Sequence, residues 1–374
     1  MVKRKIISRP VQVGSLIIGG SSLVSVQGMT KTKTADLRNT RNQIRSLKDA
    51  GAEIIRLAIR DQDDLTAFKF LRKKITLPLV ADIHFRSELA LAAIKAGADK
   101  IRLNPGNIKN PEQLKKIIKE AKKRKVVIRV GVNSGSLNCP PHHASPQRGE
   151  GKGEGDNLAL ANAMVSAAEN YLQIFEAEDF QNLVVSLKSS SVRITVLANR
   201  IFRQQFDYPL HLGITEAGRG NPALVKSAIG IGSLLEEGIG DTIRVSLSEP
   251  PEKEIEAGRQ ILQALGLRCF YPEIISCPTC GRCQVNLFGI LEKVEAGLKG
   301  LPGYPRDYAG LRVAVMGCEV NGPGEAAAAD IGIAAGRKTG FLFAKGKAVA
   351  KIREEELSAV LLREILKLRR MCGK

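Results

Sequence analysis

Gly51-Ala52-Glu53-Ile54-Ile55-Arg56-Leu57 and Gly97-Ala98-Asp99-Lys100-Ile101-Arg102-Leu103 are two copies of one short pattern. Gly240-Asp241-Thr242-Ile243-Arg244-Val245 is a third. Each copy ends a helical stretch, starts an apolar run and sets an arginine among apolar neighbours, which predicts a helix exit followed by a buried strand. Apolar runs recur at 23–26, 54–59, 79–83, 100–103, 126–132, 183–187, 210–214 and 242–247. They are rich in Val, Ile and Leu without strict alternation, as strands covered on both faces are. Helical spacing separates them: Leu37, Ile44 and Leu47 in one segment, Leu65, Phe68 and Leu71 in another. A third helix opens with Asn110 as N-cap and Pro111 at the first helical position. Eight strand–helix units predict a (β/α)8 TIM barrel over residues 1–266. A doubly wound open sheet is the alternative.

The 374 residues suffice for that core and a smaller second one. No apolar run approaches the roughly 20 residues of a membrane span. The basic start Met1-Val2-Lys3-Arg4-Lys5 is followed by Arg9, Pro10 and Gln12 rather than an apolar stretch, so no secretory signal is read and a cytoplasmic protein is expected. A net charge of +19 draws anions: nucleic acid, an anionic small substrate or an acidic electron-transfer partner. Only 4% of residues are aromatic, which argues against a stacking platform for single strands. Seven cysteines, an odd number, argue against a disulfide framework. Residues 138–157, with Pro140, Pro141, Pro146 and four glycines, read as a loop after the fifth strand, and His142 and His143 as exposed residues in it.

Arginines inside strands carry the first chemical signal. Arg56, Arg102, Arg129 and Arg244 lie within apolar runs, and Lys188 ends the sixth. A buried cation is costly unless paired. Asp82 and Glu216 could pair with one or two of them. Four arginines and a lysine on five strands exceed the obvious acids, so a polyanion of diphosphate type is the better partner, gripped by guanidinium forks. The same barrel mouth collects His84, Asn104, Asn107, Asn133, Ser136 and Thr215. Glu216 is a candidate proton donor if burial holds its proton. His84 and His211 read as hydrogen-bonded core histidines.

Residues 267–374 form a second, α+β domain, with Leu357, Leu361 and Ile365 along one stripe of a final helix. The stretch 332–339 approaches a P-loop, but its glycine spacing is wrong. Cys277-Pro278-Thr279-Cys280-Gly281-Arg282-Cys283 and the later Gly317-Cys318 and Glu325 supply soft ligands. Zinc would want a second Cys-x-x-Cys knuckle or histidines, and neither follows. An iron–sulfur cluster tolerates scattered thiolates. Two ligand sets stand open: Cys277, Cys280, Cys283 and Cys318, or Cys277, Cys280 and Cys318 with Glu325 as an exchangeable oxygen ligand.

The cysteine segment, together with Gly317-Cys318-Glu319-Val320-Asn321-Gly322-Pro323-Gly324-Glu325-Ala326, closely resembles the hallmark motifs of the 4-hydroxy-3-methylbut-2-en-1-yl diphosphate synthases. Val80-Ala81-Asp82-Ile83-His84-Phe85, Arg102-Leu103-Asn104-Pro105-Gly106-Asn107, Arg129-Val130-Gly131-Val132-Asn133 and His211-Leu212-Gly213-Ile214-Thr215-Glu216 extend the resemblance over almost the whole chain. It implies a [4Fe–4S] cluster on Cys277, Cys280, Cys318 and Glu325. It implies substrate contacts from Arg56, Arg102, Arg129, Asn133 and Lys188, to which the barrel mouth and the strand arginines add Asn104, Thr215 and Arg244, with Glu216 and Glu325 as catalytic residues. The implied reaction is reductive opening of 2-C-methyl-D-erythritol 2,4-cyclodiphosphate with two electrons from ferredoxin or flavodoxin, in a homodimer without nucleic-acid or membrane partners. A basic, metal-containing nucleic-acid-binding protein and a pterin-type barrel synthase with a structural zinc domain are the rival readings. The sequence departs from the family at Cys283, where a third cysteine is unusual, and at Gly28, where serine is usual.

Overall fold

The structure, a computed structural model, describes residues 6–83, 86–103, 110–137, 154–318 and 320–372. His84, Asn104, Asn107, His142, His143 and most of the 138–157 loop lie outside the described residues. The chain divides into two compact units, Met1–Arg268 and Cys269–Lys374, a break two residues beyond the expected one.

In the first unit a hairpin of β1 (Val11–Val13) and β2 (Leu16–Ile18) precedes the alternating elements. These are β3 (Ser25–Met29), α1 (Leu37–Asp49), β4 (Ile54–Ala58), α2 (Gln62–Arg72), β5 (Leu79–Asp82), α3 (Ser87–Lys95), β6 (Lys100–Leu103) and α4 (Pro111–Arg124). There follow β7 (Val127–Asn133), α5 (Glu154–Ala177), β8 (Leu183–Lys188), α6 (Val192–Gln205), β9 (His211–Leu212), α7 (Gly220–Glu236), β10 (Thr242–Ile243) and α8 (Pro251–Ala264). The eight parallel strands run in the order β8-β7-β6-β5-β4-β3-β10-β9. A parallel bridge between Val185 and Leu210 joins the two ends into a barrel.

The repeated segments explain how the sequence builds this barrel. Gly51, Gly97 and Gly240 sit at φ of +98°, +91° and +125°, a turn only glycine makes without strain. The acid that follows staples the neighbouring strand. Glu53 accepts the Val26 amide at 2.9 Å, Asp99 the Leu79 amide at 2.8 Å and Asp241 the Leu210 amide at 2.8 Å. Each carboxylate also meets a distant side chain: Arg268 at 2.8 Å, Arg72 at 2.7 Å and the Ser8 hydroxyl at 2.8 Å. At the start of α4 the Asn110 side chain accepts the Glu112 amide, and Pro111 occupies the first turn, as expected.

Two expectations need correction. Leu37 is 37% exposed, and the buried stripe of α1 is Thr40, Ile44 and Leu47. The first barrel strand begins at Ser25, because Leu23 points outward at 65% exposure and the polar Gln27 is fully buried inside.

The hairpin was not expected at all. Its Val11, Val13 and Ile18 pack with Ile54, Val80, Val127 and Val184, the inward residues at the amino ends of β4, β5, β7 and β8. An apolar plug therefore closes one end of the barrel, and the carboxyl ends of the strands are left for chemistry.

The second unit holds β11 (Glu273–Ser276), α9 (Leu287–Gly300), β12 (Arg312–Met316), α10 (Gly322–Ala328), β13 (Ile331–Ala335), β14 (Thr339–Ala344), β15 (Lys347–Arg353) and α11 (Leu357–Cys372). The sheet order is β11-β12-β13-β14-β15. Alternation along β12 divides the core. Val313 and Val315 pack with Leu357, Leu361 and Ile365 of α11 and with α9, while Ala314 and Met316 face Ala326 of α10. The stretch that approached a P-loop is the antiparallel β13–β14 hairpin, with Ala335 opposite Gly340.

Neighbouring positions in β2 test the plug. Ile18→Ala, at 1% exposure, should cost about 2–5 kcal/mol in chemical denaturation. Ile17→Ala, at 50% exposure, should stay within about 0.5 kcal/mol of the parent.

Candidate active site

The barrel strands deliver their cations to one interior. Arg56 comes from β4, Arg102 from β6, Arg129 from β7, Lys188 from the end of β8 and Arg244 from just past β10. Arg129 is 2% exposed, Arg102 5% and Lys188 8%. Burial and the guanidiniums of Arg56 and Arg102 push Arg129 well below the ordinary arginine range. Burial and the neighbouring Arg129, Arg244, Arg56 and Arg102 do the same to Lys188. These groups thus lie close enough to repel one another.

Acids answer only part of this charge. Asp82 lies 2.7 Å from Arg56 and 3.7 Å from Arg102. Glu254 of α8, 1% exposed, lies 3.3 Å from Arg244 and 2.9 Å from Lys31. Among the described residues no carboxylate comes within ion-pair distance of Arg129 or Lys188. Among the same residues the Nε and Nη1 of Arg129 have no hydrogen-bond partner, and the Lys188 ammonium reaches only the Leu212 carbonyl at 3.4 Å. Structural pairing therefore accounts for three cations and fails for two.

Two glycines make room for these side chains. A Cβ at Gly131 would meet Arg102 Nε at 3.2 Å and Ser186 Oγ at 3.3 Å. One at Gly213 would stand 2.6 Å from Lys188 Nζ and 2.5 Å from the Arg244 carbonyl oxygen. At the rim, Asn133 and Thr215 are half-buried, and the Thr215 amide donates to the Ser189 carbonyl at 3.2 Å. Glu216 is exposed and holds a left-handed backbone at φ +53°, so the burial its proton-donor role called for is absent here. Among the described residues it pairs with no arginine; Glu254 pairs with Arg244 instead. His211 is fully buried as expected, but neither ring nitrogen has a hydrogen-bond partner.

In the second unit Cys277 follows β11 and Cys318 follows β12, and these strands pair in parallel with Ser276 opposite Val315. The two thiols thus emerge at the same sheet end, where the Gly317 amide donates to Cys277 Sγ at 3.5 Å. Gly322 lets α10 settle against the sheet, since a Cβ there would meet those of Met316 and Ala334 at 3.1 and 3.3 Å. Backbone N–H groups of Asn321 and Val320, and more weakly of Gly322, consequently aim at Cys318 and lower its thiol below the usual range. Cys280 is exposed, and Glu325 is exposed in the first turn of α10. Cys283 is half-buried, donates to the Val285 carbonyl at 3.4 Å and fills the space beside Gly317, where a Cβ would come within 2.6 Å of its sulfur. Among the described residues no three His, Cys, Asp or Glu side chains converge into a ready metal site.

The profile of the GcpE TIM-barrel domain matches residues 8–259, and that of the GcpE protein C-terminal domain matches residues 273–367. The chain belongs to the GcpE family. Curated GcpE relatives include one from Dehalococcoides mccartyi, 47% identical over 361 residues, covering 96% of this chain and 98% of its own length. Another, from Caldicellulosiruptor saccharolyticus, is 46% identical over 363 residues, with 96% and 99% covered. Both are named 4-hydroxy-3-methylbut-2-en-1-yl diphosphate synthase (flavodoxin). Among solved structures, Yersinia pestis dihydropteroate synthase aligns over 69% of this chain and 98% of its own at 13% identity and a TM-score of 0.49, a likeness too slight to carry any argument. The unusual glycine at position 28 has a packing reason, because a Cβ there would press on Ile255 and Leu47 at 3.1 Å between α8 and α1.

Gly213→Ala should weaken inorganic pyrophosphate binding by about tenfold or more, read by calorimetry, because Lys188 and the strand backbone cannot both give way. Gly232→Ala on α7, where a Cβ meets open space, should leave binding unchanged.

Proposed function

We propose that the cation layer binds both phosphates of 2-C-methyl-D-erythritol 2,4-cyclodiphosphate and that the second unit supplies the electrons for its ring opening. The reaction is that of the family: the ring is opened, a hydroxyl leaves as water, two electrons are consumed and 4-hydroxy-3-methylbut-2-enyl diphosphate is released. The observation that carries this reading is the pair of buried cations, Arg129 and Lys188, which among the described residues have no carboxylate within ion-pair distance. A diphosphate supplies the oxygens they lack, in the planar fork geometry that arginine favours.

The barrel's contribution is electrostatic. Opening the ring frees a phosphate oxygen and adds a negative charge to the product. Cations fixed in a dry interior stabilise that charge as it develops, with no reorganisation needed at that moment. Arg56 and Arg102 share Asp82, so neither loses its partner when the site empties. Asn133 and Thr215 at the rim would orient the hydroxyls, and Glu216, exposed in the free chain, would act as proton donor only once bound substrate buries it.

Enzymes of this family are iron–sulfur proteins, and the donor set fits a [4Fe–4S] cluster. Cys318 is held toward the thiolate by backbone amides, and the Gly317 amide reaches Cys277, which are the contacts that stabilise cluster sulfurs. Cys277, Cys280, Cys318 and Glu325 would hold it; Cys283, turned to a carbonyl, would not. When bound, such a cluster supplies single electrons and an iron able to take a substrate oxygen. The relatives' names point to flavodoxin as reductant, and ferredoxin remains the other donor of the right kind. A homodimer and a cytoplasmic location belong to the same proposal. Among the described residues no helix is long and apolar enough to cross a membrane.

Anaerobic protein should contain about four irons per chain and turn over the cyclodiphosphate. A colourless, iron-free anaerobic preparation contradicts the reading. Glu325→Ala should abolish ring opening while substrate affinity changes little. Arg129→Met should weaken substrate binding by about 10- to 100-fold through loss of charge-assisted hydrogen bonds, with iron content unchanged.

A further inference from the structure

Nearer the hairpin end than the arginines, the barrel holds a second polar set. Lys100 precedes Arg102 by two residues on β6 and so shares its inward face. Ser25 and Gln27 of β3, His211 of β9 and Thr242 of β10 point into the same space: Thr242 lies opposite both Ser25 and His211 in register, and Gln27 opposite the inward Ile54. All five are at most 4% exposed. Among the described residues the Ser25 hydroxyl, both Gln27 amide atoms, the Lys100 amine, both His211 nitrogens and the Thr242 hydroxyl have no hydrogen-bond partner.

Lys100 is the consequential member. Its amine is fully buried, and the charges that bear on it are the guanidiniums of Arg129 on β7 and Arg56 on β4. Its remaining barrel neighbours are Asp82 on β5, engaged by Arg56 and Arg102, Lys188 on β8, the ring of His211 and Arg244 past β10. The β3 side offers only uncharged Ser25 and Gln27, and the hairpin plug is apolar. Burial first, then Arg129 and Arg56, push the Lys100 amine well below the ordinary lysine range.

We propose that Lys100 is a neutral amine in the empty barrel and takes up a proton when a diphosphate settles against Arg129 and Arg56. This rests on reading the cation layer as the diphosphate site. The anion cancels the two positive charges that keep the amine neutral, and the proton adds a cation beneath the phosphates before ring opening adds an anion above. Lys188 is the weaker candidate, since its ammonium already has the Leu212 carbonyl as acceptor. His211 starts from a lower ordinary range, and burial with Lys188 and Arg129 beside it holds it lower still. Lys100 is a positioning residue here, acting through the charge of the arginine layer.

Linkage fixes the sign. A group that binds a proton with the ligand makes affinity fall as pH rises, by up to about tenfold per pH unit for one proton. The cyclic diphosphate carries one ionised oxygen per phosphorus and has no group of its own that titrates near neutrality, so any uptake belongs to the protein. Calorimetry of the anaerobic holoprotein with the cyclodiphosphate, in buffers of different ionisation enthalpy from about pH 6.5 to 9, counts it. The expected result is uptake approaching one proton per ligand in the wild type and its loss in both Lys100→Met and Lys100→Gln. Binding by the wild type with no uptake anywhere in that range overturns the proposal, with no variant required. Uptake kept in a folded Lys100→Met, or kept there and lost in His211→Asn, overturns it equally. Absence of binding altogether would instead remove the diphosphate site on which it rests.

Discussion

Burying an arginine without a partner costs several kcal/mol, yet Arg129 lies at 2% exposure with two nitrogens unbonded, beside three other arginines and two lysines. Most of what surrounds it serves to hold that charge in place. The glycine–acid repeats staple the strands from which the cations project, and the apolar hairpin closes the barrel beneath them. Gly131 and Gly213 leave room for Arg102 and Lys188 to lie across the interior. Asp82 and Glu254 neutralise enough of the charge for the barrel to fold. They leave enough uncompensated for an anion to bind.

The second unit follows a different economy of charge. Its sheet is packed on both faces by helices, and the chemistry gathers where β11 and β12 end. Small residues bring α10 close, so that the amides of Val320 and Asn321 just before it, and of its first residue Gly322, face Cys318 and favour the thiolate. A sulfur so held is suited to metal ligation rather than to packing. Cys283 shows the contrast: its thiol donates to a carbonyl and fills the space beside Gly317.

Much of this was legible in the sequence wherever one residue type has one physical use. The left-handed glycines at strand entries, the Asn110–Pro111 helix start and the arginines within apolar runs all lie where the pattern put them. What escaped depended on distant partners. Two three-residue strands are too short to show a period, so the hairpin was invisible. Gln27 faces a polar barrel interior and fell outside its strand, because a polar residue ordinarily reads as an edge or a break; Lys100 and Thr242 were placed in strands, but nothing local marks their side chains as buried. Glu254 lies on a helix whose buried face is otherwise Pro251, Ile255, Ala257, Gly258, Ile261 and Leu262, and nothing local marks it as the partner of Arg244 and Lys31. The exposure of Glu216 follows from the turn after β9, which the sequence could not place.

An anion is what completes the hydrogen bonding of Arg129 and Lys188. An anaerobic crystal structure of the protein with the cyclic diphosphate bound addresses it directly. Phosphate oxygens should lie about 2.7–2.9 Å from the Arg129 guanidinium and the Lys188 ammonium. A bound substrate that leaves both cations to water or to a protein carboxylate would contradict it.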